Sequence, residues 1–207
     1  STKKQPQMKT QHLYFMKSAN KVILLSFVCT ILLSSCGYIQ LRNNIHSLMN
    51  LKIEFPDSML QFKSDSIDMQ IKEICFDKPT IVYWIDSVDC SSCLMNSLYQ
   101  WETIIEYGKK DSVIFDMAFI VSPPKSESEY FKEVVRHKRL STPVYIDTEN
   151  YVAKLNPTLS GQNINRVFLL DKEQCIKAIG DPMLSSDIWD FYRSRIFELN
   201  HQPNNAN

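Results

Sequence analysis

Residues 80–93 read TIVYWIDSVDCSSC, and the order of residue types in that stretch decides the fold. Thr80–Asp86 is β-branched and aromatic almost throughout, the composition of a strand buried on both faces. Cys90-Ser91-Ser92-Cys93 follows, and beyond it apolar residues recur at Leu94, Leu98, Trp101 and Ile105, a helical period that Gly108 is expected to stop. The CxxC therefore opens a helix directly after a buried strand. At a helix start, unpaired N–H groups and the positive end of the dipole favour a thiolate, which marks Cys90 as the exposed nucleophile. A spacing of three puts Cys93 one turn further in, where it can attack a mixed disulfide made by Cys90. Asp89 adds negative charge beside Cys90 and limits that acidity.

Towards the C-terminus, Val113–Val121 reads as a second buried strand, residues 126–139 as a helix ending in His137-Lys138-Arg139, and Thr142–Asp147 as a third strand. Glu149–Leu155 suits a short helix. Arg166–Asp171 and Cys175–Ile179 flank the polar turn Lys172-Glu173-Gln174 as a hairpin. A last helix opens at Ser185/Ser186 with Ile188, Phe191, Tyr192, Ile196 and Phe197 expected inward, and residues 201–207 form a disordered tail. Ahead of the motif, Leu51–Phe55 and Ser64–Ile74 alternate as strands do, and Asp77-Lys78-Pro79 breaks the chain. Strands alternating with helices and closing on a hairpin predict one α/β domain, a mixed sheet flanked by helices on both faces, over residues 51–200.

The N-terminal region reads differently. Residues 22–34 (VILLSFVCTILLS) are an apolar run behind Lys17 and Lys21, shorter than the roughly 20 residues a spanning helix needs. The order positive, apolar, small is that of a secretory signal over residues 1–35. Leu33-Ser34-Ser35-Cys36 resembles a lipobox, in which Cys36 is acylated and becomes the new N-terminus, with residues 36–50 as tether. The expected location is a membrane surface, with the domain outside the cytoplasm; an uncleaved anchor helix is the alternative and leaves it on the same side. All five basic residues before Cys36 would go with the signal, leaving 18 basic against 23 acidic. An acidic domain without a basic stripe offers no footprint for nucleic acid. Neither GxGxxG nor GxxxxGK[ST] occurs. His46, His137 and His201 have no ligand spacing, and a CxxC supplies only two of the usual four zinc ligands, so neither metal nor cofactor is expected. Cys75 and Cys175 read as small buried hydrophobes rather than a bridge.

The run IVYWID, CSSC, a long helix, TPVYIDTENYVAKLN and RVFLLDKEQCIKAIGDP resembles the membrane-anchored TlpA/ResA-type branch of the thioredoxin-like proteins over about residues 67–197. The resemblance implies a thioredoxin-like fold and a thiol–disulfide oxidoreductase with protein thiols or disulfides as substrates. A membrane electron donor is the further partner that a reductase at this location would need. It implies Cys90 and Cys93 as the redox pair, with Tyr83, Trp84, Ile164 and Asn165 shaping the substrate groove. Three positions differ from the family pattern. Asn165 stands where the family has a cis-proline, with Pro143 as the alternative occupant of that role. Val82 stands where many thioredoxins carry a buried acid, and Asp89 rather than Trp precedes the first cysteine. A second reading follows from those differences: a non-catalytic lipoprotein of the same fold, in which the disulfide only pins the helix start.

Overall fold

The computed structural model describes residues 42–62, 70–85, 91–138, 140–160 and 166–201. The compact unit that carries the sheet begins at Ile45. Helix α1 (42–48) ends at the buried Leu48. The strands are β1 (Met59–Phe62), β2 (Gln70–Lys72), β3 (Thr80–Ile85), β4 (Asp116–Val121), β5 (Val144–Ile146), β6 (Val167–Leu170) and β7 (Ile176–Ile179). The remaining helices are α2 (Ser91–Lys110), α3 (Ser128–Lys138), α4 (Tyr151–Leu155), α5 (Pro157–Ser160) and α6 (Ser186–His201), with a 3-10 turn at Lys125–Glu127. Among the described residues the strands form one sheet in the order β2-β1-β5-β4-β3-β6-β7.

β3, β4 and β5 run parallel, while β6 lies antiparallel on β3 and β7 antiparallel on β6. The centre is thus a β3–α2–β4 crossover plus the β6–β7 hairpin, and α2 and α6 both begin beyond the upper end of the sheet, where β3 and β4 finish. Strand alternation sorts the core into two layers. Ile81 and Ile85, Met117, Phe119 and Val121, and Val167 and Leu169 point towards α2, α3 and α6. Val82 and Trp84, Ala118 and Ile120, and Phe168 and Leu170 point to the other face, where Leu48, Ile53, Ile74, Phe76, Val152 and Leu159 cover them. Helices therefore flank both faces, as expected.

Several local expectations change. Gly108 does not end its helix: α2 continues to Lys110. A Cβ on Gly108 would lie 2.2 Å from the Phe115 ring, so the glycine is there for close packing, although glycine costs a helix interior about 1 kcal/mol. The stop comes at Ser112, left-handed at φ 56°, where Ser112 N–H donates to Lys109 O and Val113 N–H to Gly108 O. Leu51–Phe55 contributes a single antiparallel bridge, Lys52 to Cys175, instead of a strand. The strand in that region is Met59–Phe62, which pairs with both β2 and β5. On α6, Phe191 and Phe197 are exposed, and Trp189 takes the inward place beside Tyr192 and Ile196. His201, assigned to the tail, is the last residue of that helix. Cys75 is exposed and Cys175 half-buried, both with free thiols, so neither is a core hydrophobe.

Candidate functional site

The helix carrying the motif begins at Ser91, so Cys93 is the third residue of α2, in its first turn. β3 ends at Ile85, six residues before Ser91, so a strand precedes this helix in the chain. Cys90, Asp86, Asp89, Ile164, Asn165 and Cys36 lie outside the described residues, as does the side chain of Cys93.

The framework of this end of the sheet is well defined. Trp84 N–H donates to Arg166 O at 2.9 Å, and Tyr83 pairs with Val167, so the chain enters β6 beside the point where it leaves β3. Arg166 directly follows Asn165. Pro143 cannot take the proline position of the family. It directly precedes β5, which is separated from β3 by β4 and runs parallel to it, so Pro143 sits at the lower end of the sheet. The strand antiparallel to β3 is β6, as the alignment through RVFLLD requires.

Tyr83 and Trp84 do not form one wall. As neighbours on a strand they point to opposite faces. Tyr83 is half-buried against Trp101 of α2, with ring centroids 5.2 Å apart, and against Phe119 at 6.3 Å. Trp84 is buried in the other layer, with the Arg166 guanidinium 5.3 Å from its ring centroid. Only Tyr83 thus shares a face with α2; Trp84 is core. The Trp84 indole N–H and the Ser122 hydroxyl are buried at this end without hydrogen-bond partners among the described residues. Ser122 is fixed there by its own N–H, which donates to Ile85 O at 2.8 Å.

Val82 is buried and apolar, so β3 supplies no acid beneath the motif. An acid does occur at the upper end, on a loop that sequence reasoning passed over. Gly180 N–H donates to Val167 O at 3.1 Å, which sets Asp181 at the same end as Tyr83. Burial pushes the Asp181 carboxyl above the usual aspartate range, partly offset by the Met183 N–H that it accepts at 2.8 Å. The sequence signal was slight: an Asp-Pro pair after the final strand, which reads as an ordinary turn. Asp147, at the upper end of β5, is by contrast structural; its carboxylate accepts the N–H groups of Tyr151 and Val152 at 2.8 Å and starts α4. Among the described residues no group of three His, Cys, Asp or Glu side chains could hold a metal ion. His137 and His201 each bond a carbonyl of their own helix, and no described helix is long and apolar enough to cross a membrane.

No protein-family model and no curated protein sequence matches the chain. Solved structures do. Copper-bound ScoI of Arabidopsis thaliana is 13% identical over 70% of this chain and 99% of its own, with a TM-score of 0.50. A thioredoxin-like protein of Porphyromonas gingivalis is 12% identical over 75% of this chain and 97% of its own, at 0.47. StoA of Bacillus subtilis is 18% identical over 66% of this chain and 99% of its own, at 0.43. Identities this low speak to fold alone. The likeness to ScoI, at 0.50, is therefore one of fold, and with its parallel crossover, the antiparallel hairpin on the other flank and the final helix over the same face as α2 the chain has the thioredoxin-like fold.

Proposed function

We propose that this chain is a thiol–disulfide exchange protein, with Cys90 as attacking thiol and Cys93 as resolving thiol. The observation that carries the reading is the start of α2 at Ser91, one residue after Cys90 in sequence and on the C-terminal side of the buried parallel strand β3. A thiolate at that position is favoured by the first-turn N–H groups and the helix dipole. The Cys90 thiolate attacks one sulfur of a substrate disulfide, forms a mixed disulfide and expels the other sulfur as a thiolate that takes up a proton. Cys93 then loses its proton and attacks Cys90 Sγ, which releases the second substrate thiol and leaves Cys90 and Cys93 joined. The substrate gains two electrons and the motif loses two. Turnover as a reductase requires an external dithiol donor; run backwards, the same steps oxidise a substrate. The substrates of this reading are protein thiols and disulfides, and a membrane-bound donor would suit the location.

That location is part of the proposal. Residues 1–35 act as an export signal, and acylated Cys36 holds the domain at a membrane surface outside the cytoplasm, several acyl chains giving firm anchoring at about 0.8 kcal/mol per buried CH₂. Labelled palmitate should enter the wild-type protein and not Cys36→Ser. The exchange reading is tested in cells with Cys93→Ser, which should accumulate mixed disulfides that a reductant releases. Those adducts should vanish in Cys90→Ser. A Cys93→Ser protein that captures nothing, together with no insulin reduction by the wild type, favours the non-catalytic reading instead; the buried Val82 is the observation on its side.

A further inference from the structure

At the lower end of the sheet, remote from α2's first turn, lies a cavity of about 450 Å³ lined by Cys75, Thr142, Tyr145, Gln61, Lys109 and Asp116 among others. Two of its hydroxyl groups are placed as donors. Thr142 is 3% exposed and its hydroxyl has no partner among the described residues, a cost that a buried polar group does not usually bear. Tyr145 is 6% exposed, and its oxygen accepts Gln61 Nε2–H at 2.8 Å, which leaves the phenolic hydrogen free to donate. Burial pushes the Tyr145 phenol up, so that hydrogen is retained.

The lining also carries opposite charges. Lys109 is held by Glu106 of its own helix at 2.8 Å and Asp116 by Lys78 at 3.4 Å, both exposed pairs. Exposed pairs hold weakly, so both charged groups can turn to a ligand. Cys75 adds an exposed free thiol.

We propose that this cavity binds small zwitterionic disulfides of the cystine class, and that Cys75 takes up half of such a ligand as a mixed disulfide. Thr142, Tyr145 and Lys109 hold the ligand carboxylate, and Asp116 holds its ammonium group. The Cys75 thiol gives its proton to water, and its sulfur attacks the near sulfur of the ligand. The ligand S–S bond breaks, a bond from Cys75 Sγ forms, and the departing thiolate takes up a proton. The ligand disulfide is the oxidant, and no electrons enter from elsewhere. The proposal does not depend on the CxxC.

The test uses the full chain with Cys90→Ser and Cys93→Ser, incubated separately with L-cystine and with 2-hydroxyethyl disulfide, which has neither charge. Peptide mass spectrometry follows the adduct at Cys75 and at Cys175, the other free thiol among the described residues. Cystine should modify Cys75 faster than the neutral disulfide does, and Cys175 should show no such preference. Thr142→Val and Tyr145→Phe should each lower the cystine rate at Cys75 about five-fold, the effect of one lost hydrogen bond, and leave the neutral rate unchanged. Lys109→Ala, at an exposed rim position where folding is not at risk, should act in the same direction. Equal rates for the two disulfides at Cys75, a cystine preference shared by Cys175, or variants that slow both reagents alike would overturn the proposal.

Discussion

The two faces of the sheet are covered by different means. On one, the three long helices α2, α3 and α6 lay amphipathic stripes over Ile81, Phe119 and Leu169. On the other, the helices are short, with α4 and α5 of five and four residues and Leu48 at the end of α1, and irregular chain around Ile53, Ile74 and Phe76 supplies further cover. Apolar packing alone can fix a long helix on a sheet, because its backbone bonds close within itself. Irregular chain has no such economy, and its backbone groups need partners from side chains. The irregular face accordingly carries buried polar clamps. Asn156 accepts Glu54 N–H at 2.9 Å and donates to Glu54 O at 2.7 Å and Val152 O at 2.8 Å, tying together segments 102 residues apart. Asp171 accepts Cys175 N–H and pairs with Lys177 at 3.0 Å in the β6–β7 turn.

That contrast sets an order of mutational effects. Asn156→Ala should be the most damaging, at about 2–4 kcal/mol in denaturant unfolding, since it strands both backbone groups of Glu54. On the helical face, Tyr192 is buried in the core, and its single hydroxyl hydrogen is shared between Gly180 O at 2.8 Å and Val167 O at 3.1 Å. Tyr192→Phe keeps the ring in place and should cost only about 1–2 kcal/mol by the same measurement. If Tyr192→Phe proved the worse of the two, the contrast between the faces would fail.

The smallest effect concerns Asp181. Its folded pKa lies above the unfolded value, so the folded state holds the proton more tightly. Stability from this group is therefore present below the unfolded pKa and is lost as pH rises through the folded one. Asp181→Asn retains an acceptor for Met183 N–H, and should raise Tm slightly at neutral pH with no gain below the aspartate range. A gain independent of pH would show that packing, not charge, is responsible.

The same contrast explains what was legible in the sequence. TIVYWID, VIFDMAFIV and RVFLLD reveal themselves as central strands because burial on both faces demands continuous apolar residues. α2 and α6 reveal themselves by period. Their limits were less clear, because the αL stop falls on Ser112 while Gly108 serves the Phe115 ring. β1 was missed: Met59–Phe62 has its apolar residues split between the two layers, and its partner β5 is three residues long. At the candidate site, Cys93 at the start of a helix was readable from four letters and their flanks. Tyr83 and Trp84 were read as a pair, although strand alternation sends them to opposite faces. Arg166 over Trp84 and the raised Asp181 carboxyl depend on β3, β6 and β7 meeting at one end, which only the sheet order reveals.

In the proposed function, Cys90 and Cys93 form a redox pair with unequal roles. Equilibrating the chain in graded dithiothreitol buffers, quenching with acid and alkylating the free thiols measures it directly. One reversible two-electron transition between dithiol and disulfide is expected, with faster alkylation of Cys90 than of Cys93 in the reduced form. A motif that stays reduced or oxidised across the whole range, or a Cys93 that alkylates first, would contradict it.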